Sequence, residues 1–197
     1  TVGGVLRKAA FESANTLALV EYNEEGQIGR CWSYAELLSD SEKLAIELAR
    51  VFEKGERLAV WAPNIPEWVL LEYASALSGL VLVTINPAYQ AAELEFVLKQ
   101  SNAVALFLIP SFRGNPMRKV AKEVVAEIDD RRLVCEIQNF DAIFKQLAID
   151  DSPKIDLPAV DSLDPVQIQY TSGTTGFPKG ALLHHRGITN NARFVFT

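Results

Sequence analysis

Between Arg57 and Ile137 the sequence alternates short, continuous apolar runs with amphipathic segments of helical period. The runs "RLAVWA" (57–62), "LVLVTI" (80–85), "AVALFLI" (103–109) and "RLVCEI" (132–137) are of strand length and carry almost no polar residues. A strand that is apolar on every residue buries both faces, which occurs in parallel sheets covered by helices on either side. The intervening segments "NIPEWVLLEYASALSG", "AAELEFVLKQS" and "NPMRKVAKEVVAEI" supply those helices. The expected class is therefore α/β, a mostly parallel sheet with helices on both faces.

The flanking segments fit this frame. "TVGGVLRKAAFES" reads as a short helix with Val2, Val5, Leu6 and Ala9 on its inner side. "LALVEY" and "IGRCW" bracket the turn "NEEGQ" as a β-hairpin. In "SYAE", Ser33 and Glu36 have capping-box spacing, opening a helix that stops around Lys54-Gly55. Asn64 and Asn115 are placed to cap the next helices, the latter with Pro116 at the first helical position. "FDAIFKQLA" reads as a short helix. "IDDSPKIDLPAVDSLDP" (149–165) has three prolines, five aspartates and no period, so it reads as an exposed crossing segment. "VQIQY" and "GALLHH" are strands, and "HRGITNNARFVF" begins a helix or turn.

Composition excludes several classes of function. The 197 residues are 49% hydrophobic, with a net charge of −6. That content supports a sizeable core, and the acidic balance argues against a general nucleic-acid binder. No apolar run approaches the roughly 18 residues of a membrane helix. No signal or transit peptide is visible, although the chain begins at Thr1. Cys31 and Cys135 both sit in apolar stretches without zinc-site spacing, and read as buried thiols of a reducing interior. The cytoplasm is the compartment these features favour, and no metal-ligand set is visible. Trp61, Trp68, Tyr73 and Tyr89 read as packing aromatics.

The segment rich in chemistry is "TSGTTGFPKG" (171–180), directly after a strand. Thr171, Ser172, Thr174 and Thr175 offer hydroxyls, and Lys179 offers a charge. Gly173, Gly176 and Gly180 offer permissive backbone, with Phe177 and Pro178 leading into the lysine. Glycine-rich loops after strands hold phosphate through converging amides. A Walker A loop requires glycine where Pro178 stands, a hydroxyl where Gly180 stands, and a following helix where "ALL" reads as strand.

This segment resembles, at every signature position, the phosphate-binding loop of the adenylate-forming enzymes: acyl-CoA synthetases, 4-coumarate ligases, luciferases and peptide-synthetase adenylation domains. "WSYAEL" (32–37), residues 57–89 and "AELEFVLKQSNAVALF" (92–107) also resemble this family, so the likeness covers nearly the whole chain. "TINPAY" (84–89) is similar to the fatty-acid and aryl-acid CoA ligases, and "TSGTTGFPKGALLHH" to the medium-chain fatty acyl-CoA branch. The resemblance implies part of the N-terminal domain of an acyl-CoA synthetase-like fold. Residues 1–197 would be an incomplete AMP-binding domain, lacking the remainder of that domain and the mobile C-terminal domain.

The implied reaction joins a carboxylic acid to CoA through an acyl-adenylate, using ATP and Mg²⁺ and releasing AMP and pyrophosphate. Residues 171–180 would hold the β- and γ-phosphates, with Thr174 and Lys179 the catalytic pair. Lys179 has two open roles, contact with phosphate or anchorage of the loop through a carboxylate. His185, beyond the motif, falls near the acid pocket in the resembled family. The adenine, ribose and Mg²⁺ ligands are expected beyond Thr197, so the chain alone is expected to be inactive. An apolar cut face, ending in "FVF", predicts aggregation or dimerisation. The competing reading is a stand-alone phosphate- or nucleotide-binding module with a regulatory role.

Overall fold

The computed structural model describes residues 1–23, 25–128, 133–137, 155–171 and 178–195. The apolar runs form the centre of one six-stranded sheet. Its strands are β3 (Arg57–Trp61), β4 (Val81–Ile85), β5 (Ala105–Leu108), β6 (Leu133–Glu136), β7 (Pro165–Thr171) and β8 (Lys179–His184), in the order β6-β5-β3-β4-β7-β8. Five strands run parallel, and β8 returns antiparallel to β7. A separate antiparallel hairpin joins β1 (Leu17–Tyr22) to β2 (Ile28–Ser33), as "NEEGQ" suggested.

The two faces of the sheet are covered by different helices. Leu58, Val60, Leu82, Ala105 and Phe107 pack with Leu44 and Leu48 of α2 (Tyr34–Val51) and Leu71 and Ala74 of α3 (Pro66–Leu77). On the other face Ala59, Trp61, Val83 and Leu106 pack with Leu94 and Leu98 of α4 (Ala91–Ser101) and Met117 and Ala121 of α5 (Met117–Glu127). Every β3 residue after Arg57 is buried, which is why this strand shows no alternation. Trp68 and Tyr89 pack against these cores and Tyr73 against a smaller cluster of Val2, Ala76 and Val166, as expected of packing aromatics.

Local signals set most boundaries. Ser33 and Glu36 form the capping box, with Ser33 Oγ accepting from the Glu36 amide and Glu36 Oε2 accepting from the Ser33 amide. Gly79 ends α3 at φ +71°, a backbone that other residues adopt with strain. Four expectations are corrected. α2 closes at Val51 with Phe52 as its C-cap, before Lys54-Gly55. α3 takes Ile65 as its N-cap rather than Asn64, because Pro66 already occupies the first helical position. α5 takes Pro116 as its N-cap, and Asn115 instead donates through Nδ2 to the Tyr89 carbonyl at 3.1 Å. Cys31 is exposed, because β2 belongs to the hairpin and not to the central sheet.

α1 (Val2–Glu12) packs on α3 through Val2, Gly3 and Leu6; Val2 and Leu6 are buried as expected, whereas Val5 is exposed, Ala9 is half-buried and Ala10 is buried in its place. α6 (His185–Val195) lies beside α1 and follows β8 directly. Residues 155–164 form no regular element, although Leu157 tucks against the core and Lys54 pins the segment by pairing with Asp164 at 2.8 Å. The expected short helix at "FDAIFKQLA" and the Cys135 side chain lie outside the described residues. Among the described residues no helix is long and apolar enough to cross a membrane.

Candidate nucleotide-phosphate site

β7 enters the sheet beside β4, pairing Leu82 with Gln167 and Thr84 with Gln169. Thr84 Oγ1 reinforces this pairing by donating to the Ile168 carbonyl at 3.4 Å. Thr171 therefore emerges at the carboxyl edge of the parallel strands, where open α/β sheets bind their ligands. The chain returns along β8, with Thr171 opposite Lys179 and Tyr170 opposite Gly180. A strand, and not a helix, follows the lysine, so the helix N-terminus of a Walker A site is absent at this position.

Of the ten motif residues, Thr171, Pro178, Lys179 and Gly180 are described. Ser172, Gly173, Thr174, Thr175, Gly176 and Phe177 lie outside the described residues. Pro178 is buried, whereas Thr171 and Lys179 are exposed, and Thr171 Oγ1 donates to the Lys179 carbonyl at 3.5 Å. Lys179 and Gly180 line a groove of about 360 Å³ with Tyr170, Ile168, Arg57 and Gln100. Arg57 brings a second cation to this groove, a residue that its position at the start of β3 did not single out. Gly180 was expected to supply a permissive backbone angle. It sits instead in extended β8, and the positive-φ glycines among the described residues are Gly26, Gly55, Gly79 and Gly114.

His185 stands apart from the lysine. It opens α6 just past the far end of β8, whose span from Lys179 to His184 is about 17 Å at the usual rise per residue. It is 0% exposed, and its Nδ1 accepts from the Val2 amide at 3.2 Å. Burial pushes its imidazole down to about 4, so the ring is neutral at pH 7. His184 accepts at Nδ1 from the Gly187 amide at 2.8 Å, satisfying a free donor of the first turn of α6. The pair thus has packing and capping work.

A larger groove of about 680 Å³ runs between α1, α3 and α6, with Val5, Tyr73 and Ile188 in its walls and Lys8 and Arg193 at its sides. Glu72 faces it, its carboxyl pushed up to about 7 by burial. Sequence reading missed this residue because it falls within an apolar helical segment. Among the described residues no three acidic, histidine or cysteine side chains gather as a metal-binding group.

A mostly parallel sheet covered by helices, with an antiparallel return strand at its edge, defines an α/β domain. The model of the AMP-binding enzyme family matches residues 6–197, and the chain belongs to that family. It is 32% identical over 219 residues to the human mitochondrial medium-chain acyl-CoA ligase ACSF2, an alignment that covers 99% of this chain and 35% of the relative. It is likewise 32% identical to the putative acyl-CoA synthetase YngI of Bacillus subtilis, over 82% of this chain and 34% of that one. Among solved structures, the inhibitor-bound N-terminal domain of FACL13 from Mycobacterium tuberculosis superposes with a TM-score of 0.74 at 30% identity. That match covers 93% of this chain and 44% of FACL13's. The chain thus spans about a third of the length of the curated relatives it matches.

Proposed function

We propose that residues 1–197 are the phosphate-gripping part of a longer ATP-dependent acid:CoA ligase that activates a fatty acid, of medium chain length. The observation that carries this reading is the placement of Thr171 and Lys179 as the paired ends of the glycine- and hydroxyl-rich segment, at the carboxyl edge of the sheet. The names of the acyl-CoA ligase relatives support the substrate class.

In the first step the acid's carboxylate attacks the α-phosphate of ATP, and the bond to the bridging oxygen of pyrophosphate breaks. Negative charge grows on the β- and γ-phosphates as they leave. Donors fixed around those phosphates stabilise the transition state more than the ground state, and so accelerate the step. Thr171, Ser172, Thr174 and Thr175 hydroxyls and the Gly173 and Gly176 amides are the donors in this reading, with Lys179 adding charge. In the second step the CoA thiol attacks the acyl-adenylate and AMP departs. Mg²⁺ accompanies ATP in this reading. The described residues offer it no carboxylate set, and none of these roles depends on it.

The partners are small molecules, in a cytoplasmic or comparable interior. The remainder of the nucleotide-binding domain and a mobile C-terminal domain complete the active site, and without them the chain is inactive. The exposed Phe194 and Leu182 mark where it would self-associate when isolated. The test is acid-dependent ATP–pyrophosphate exchange by the whole polypeptide carrying Thr174→Ala or Lys179→Ala. Each variant is expected to lose at least a hundredfold in exchange rate. Normal exchange in both would overturn the reading, and acyl-CoA formation by the isolated chain would overturn the claim of inactivity.

A further inference from the structure

The motif ends on Gly180, and the structure ties that glycine to a side chain rather than to a backbone angle. A Cβ on Gly180 would stand 3.0 Å from Tyr170 Cζ, 3.1 Å from Ile168 Cγ2 and 3.3 Å from Tyr170 Cε1. The Cζ–Cε1 side of the Tyr170 ring, on the strand directly opposite, therefore crowds the space a side chain would take. Ile168 closes the other side. It is buried in the α4–α5 face of the core and is stiff about χ1, so it gives little. Tyr170 packs against the same core. A glycine weakens a strand by leaving its backbone bare, and an aromatic side chain laid over it from the neighbouring strand restores that loss.

We propose that Tyr170 is a positioning residue for phosphate binding, and that Gly180 is required by its ring. The next pair along the ladder, and the last among the described residues, is Thr171 with Lys179. Its register and twist are set by the pair beneath it, so the Tyr170–Gly180 contact fixes the directions in which the Thr171 hydroxyl and the Lys179 amine leave the sheet. The contact is made by ring carbons, so the hydroxyl is dispensable to it. An alanine at 180 wedges the ring upward by a few tenths of an ångström against an immobile Ile168. An alanine at 170 uncovers the Gly180 backbone.

This assignment rests on the phosphate-gripping role proposed above, and two readouts on the whole polypeptide separate the two. The first is the KM for ATP and for the acid in pyrophosphate exchange by Tyr170→Phe, Tyr170→Ala, Gly180→Ala and the double alanine variant. Tyr170→Phe is expected to match the parent. Each alanine variant raises the KM for ATP about tenfold with the acid's KM unchanged, and the double variant is no worse than the poorer single one. The second is amide hydrogen exchange of residues 179–183, expected to speed up about tenfold in the alanine variants and not in Tyr170→Phe. An unchanged KM for ATP, an equal rise in the acid's KM, or additive effects would overturn the assignment. So would unaltered amide exchange. A parent enzyme without pyrophosphate exchange would instead refute the ligase reading, leaving amide exchange to judge the Tyr170–Gly180 contact.

Discussion

Replacing Arg30 with leucine isolates a buried charge, and the structure gives the scale of the damage. Glu67 sits in the first turn of α3 with only 1% of its side chain exposed. Its two oxygens accept from Arg30 Nη1 at 2.5 Å and Nη2 at 3.2 Å. The same guanidinium pairs with Glu21 through Nε at 2.7 Å and lies over the Trp32 ring at 5.5 Å, so one side chain ties both hairpin strands to α3. The Glu21 carboxyl is held below its usual range chiefly by its hydrogen bond from Arg30. Removing one partner of a buried pair costs about 3–5 kcal/mol. Arg30 is 45% exposed, so water enters the vacated space and about 2–3 kcal/mol remains. For a chain of this size that lowers the melting temperature by roughly 4–10 °C. The assay is urea or thermal unfolding of Arg30→Leu, Glu67→Leu and the double variant. The double variant is expected to be more stable than Arg30→Leu alone, with a coupling of about 1.5–3 kcal/mol. Additive losses, or an Arg30→Leu variant within about 0.5 kcal/mol of the parent, would refute the view that Arg30 neutralises Glu67.

The half-buried Glu72 and the buried His185 predict opposite pH responses. The Glu72 carboxyl is raised from 4.5 to about 7, so its contribution to stability is present at low pH and lost as pH rises through that window. Glu72→Gln should be about 2 kcal/mol more stable than the parent at pH 8 and equal to it at pH 4, read by denaturant midpoints. The His185 ring is lowered from 6.5 to about 4, so the unfolded chain takes up its proton first and stability falls as pH drops across that range. His185→Asn, whose amide oxygen can accept from Val2, should escape about 2–3 kcal/mol of the parent's loss between pH 7 and pH 4. Ser33→Ala removes the hydroxyl that accepts from Glu36 and should cost about 1 kcal/mol, measured by thermal unfolding.

The sheet was legible because β3, β4 and β5 are buried on both faces, and a strand with no solvent side shows no polar residue to confuse it with a helix. The α2 box was legible because capping acts over three residues. Local signals failed where a neighbour in space decided the outcome. Cys31 looks buried beside Trp32 and Ile28, yet its strand pairs only within the hairpin. The Arg30–Glu67 bond joins residues 37 positions apart, and no periodicity announces it. At the site, the motif named Thr171 and Lys179, which stand opposite each other on β7 and β8. It did not reveal that Gly180 faces a ring, that Arg57 shares the groove, or that β8 carries His185 to the opposite end of the sheet.

The pairing of β7 with β4 has a kinetic consequence. β3, β4 and β5 meet through connections of a few tens of residues, whereas Thr84 meets Ile168 across 84 positions of chain. The loop-closure entropy of that contact is the largest in the sheet, so β7 and β8 dock after the central strands have formed. The β7–β8 pair is thus expected to be the last piece of the sheet to arrive and the first to detach. A nucleotide bound there would act as a latch on the final folding step, slowing unfolding of the hairpin in proportion to its occupancy.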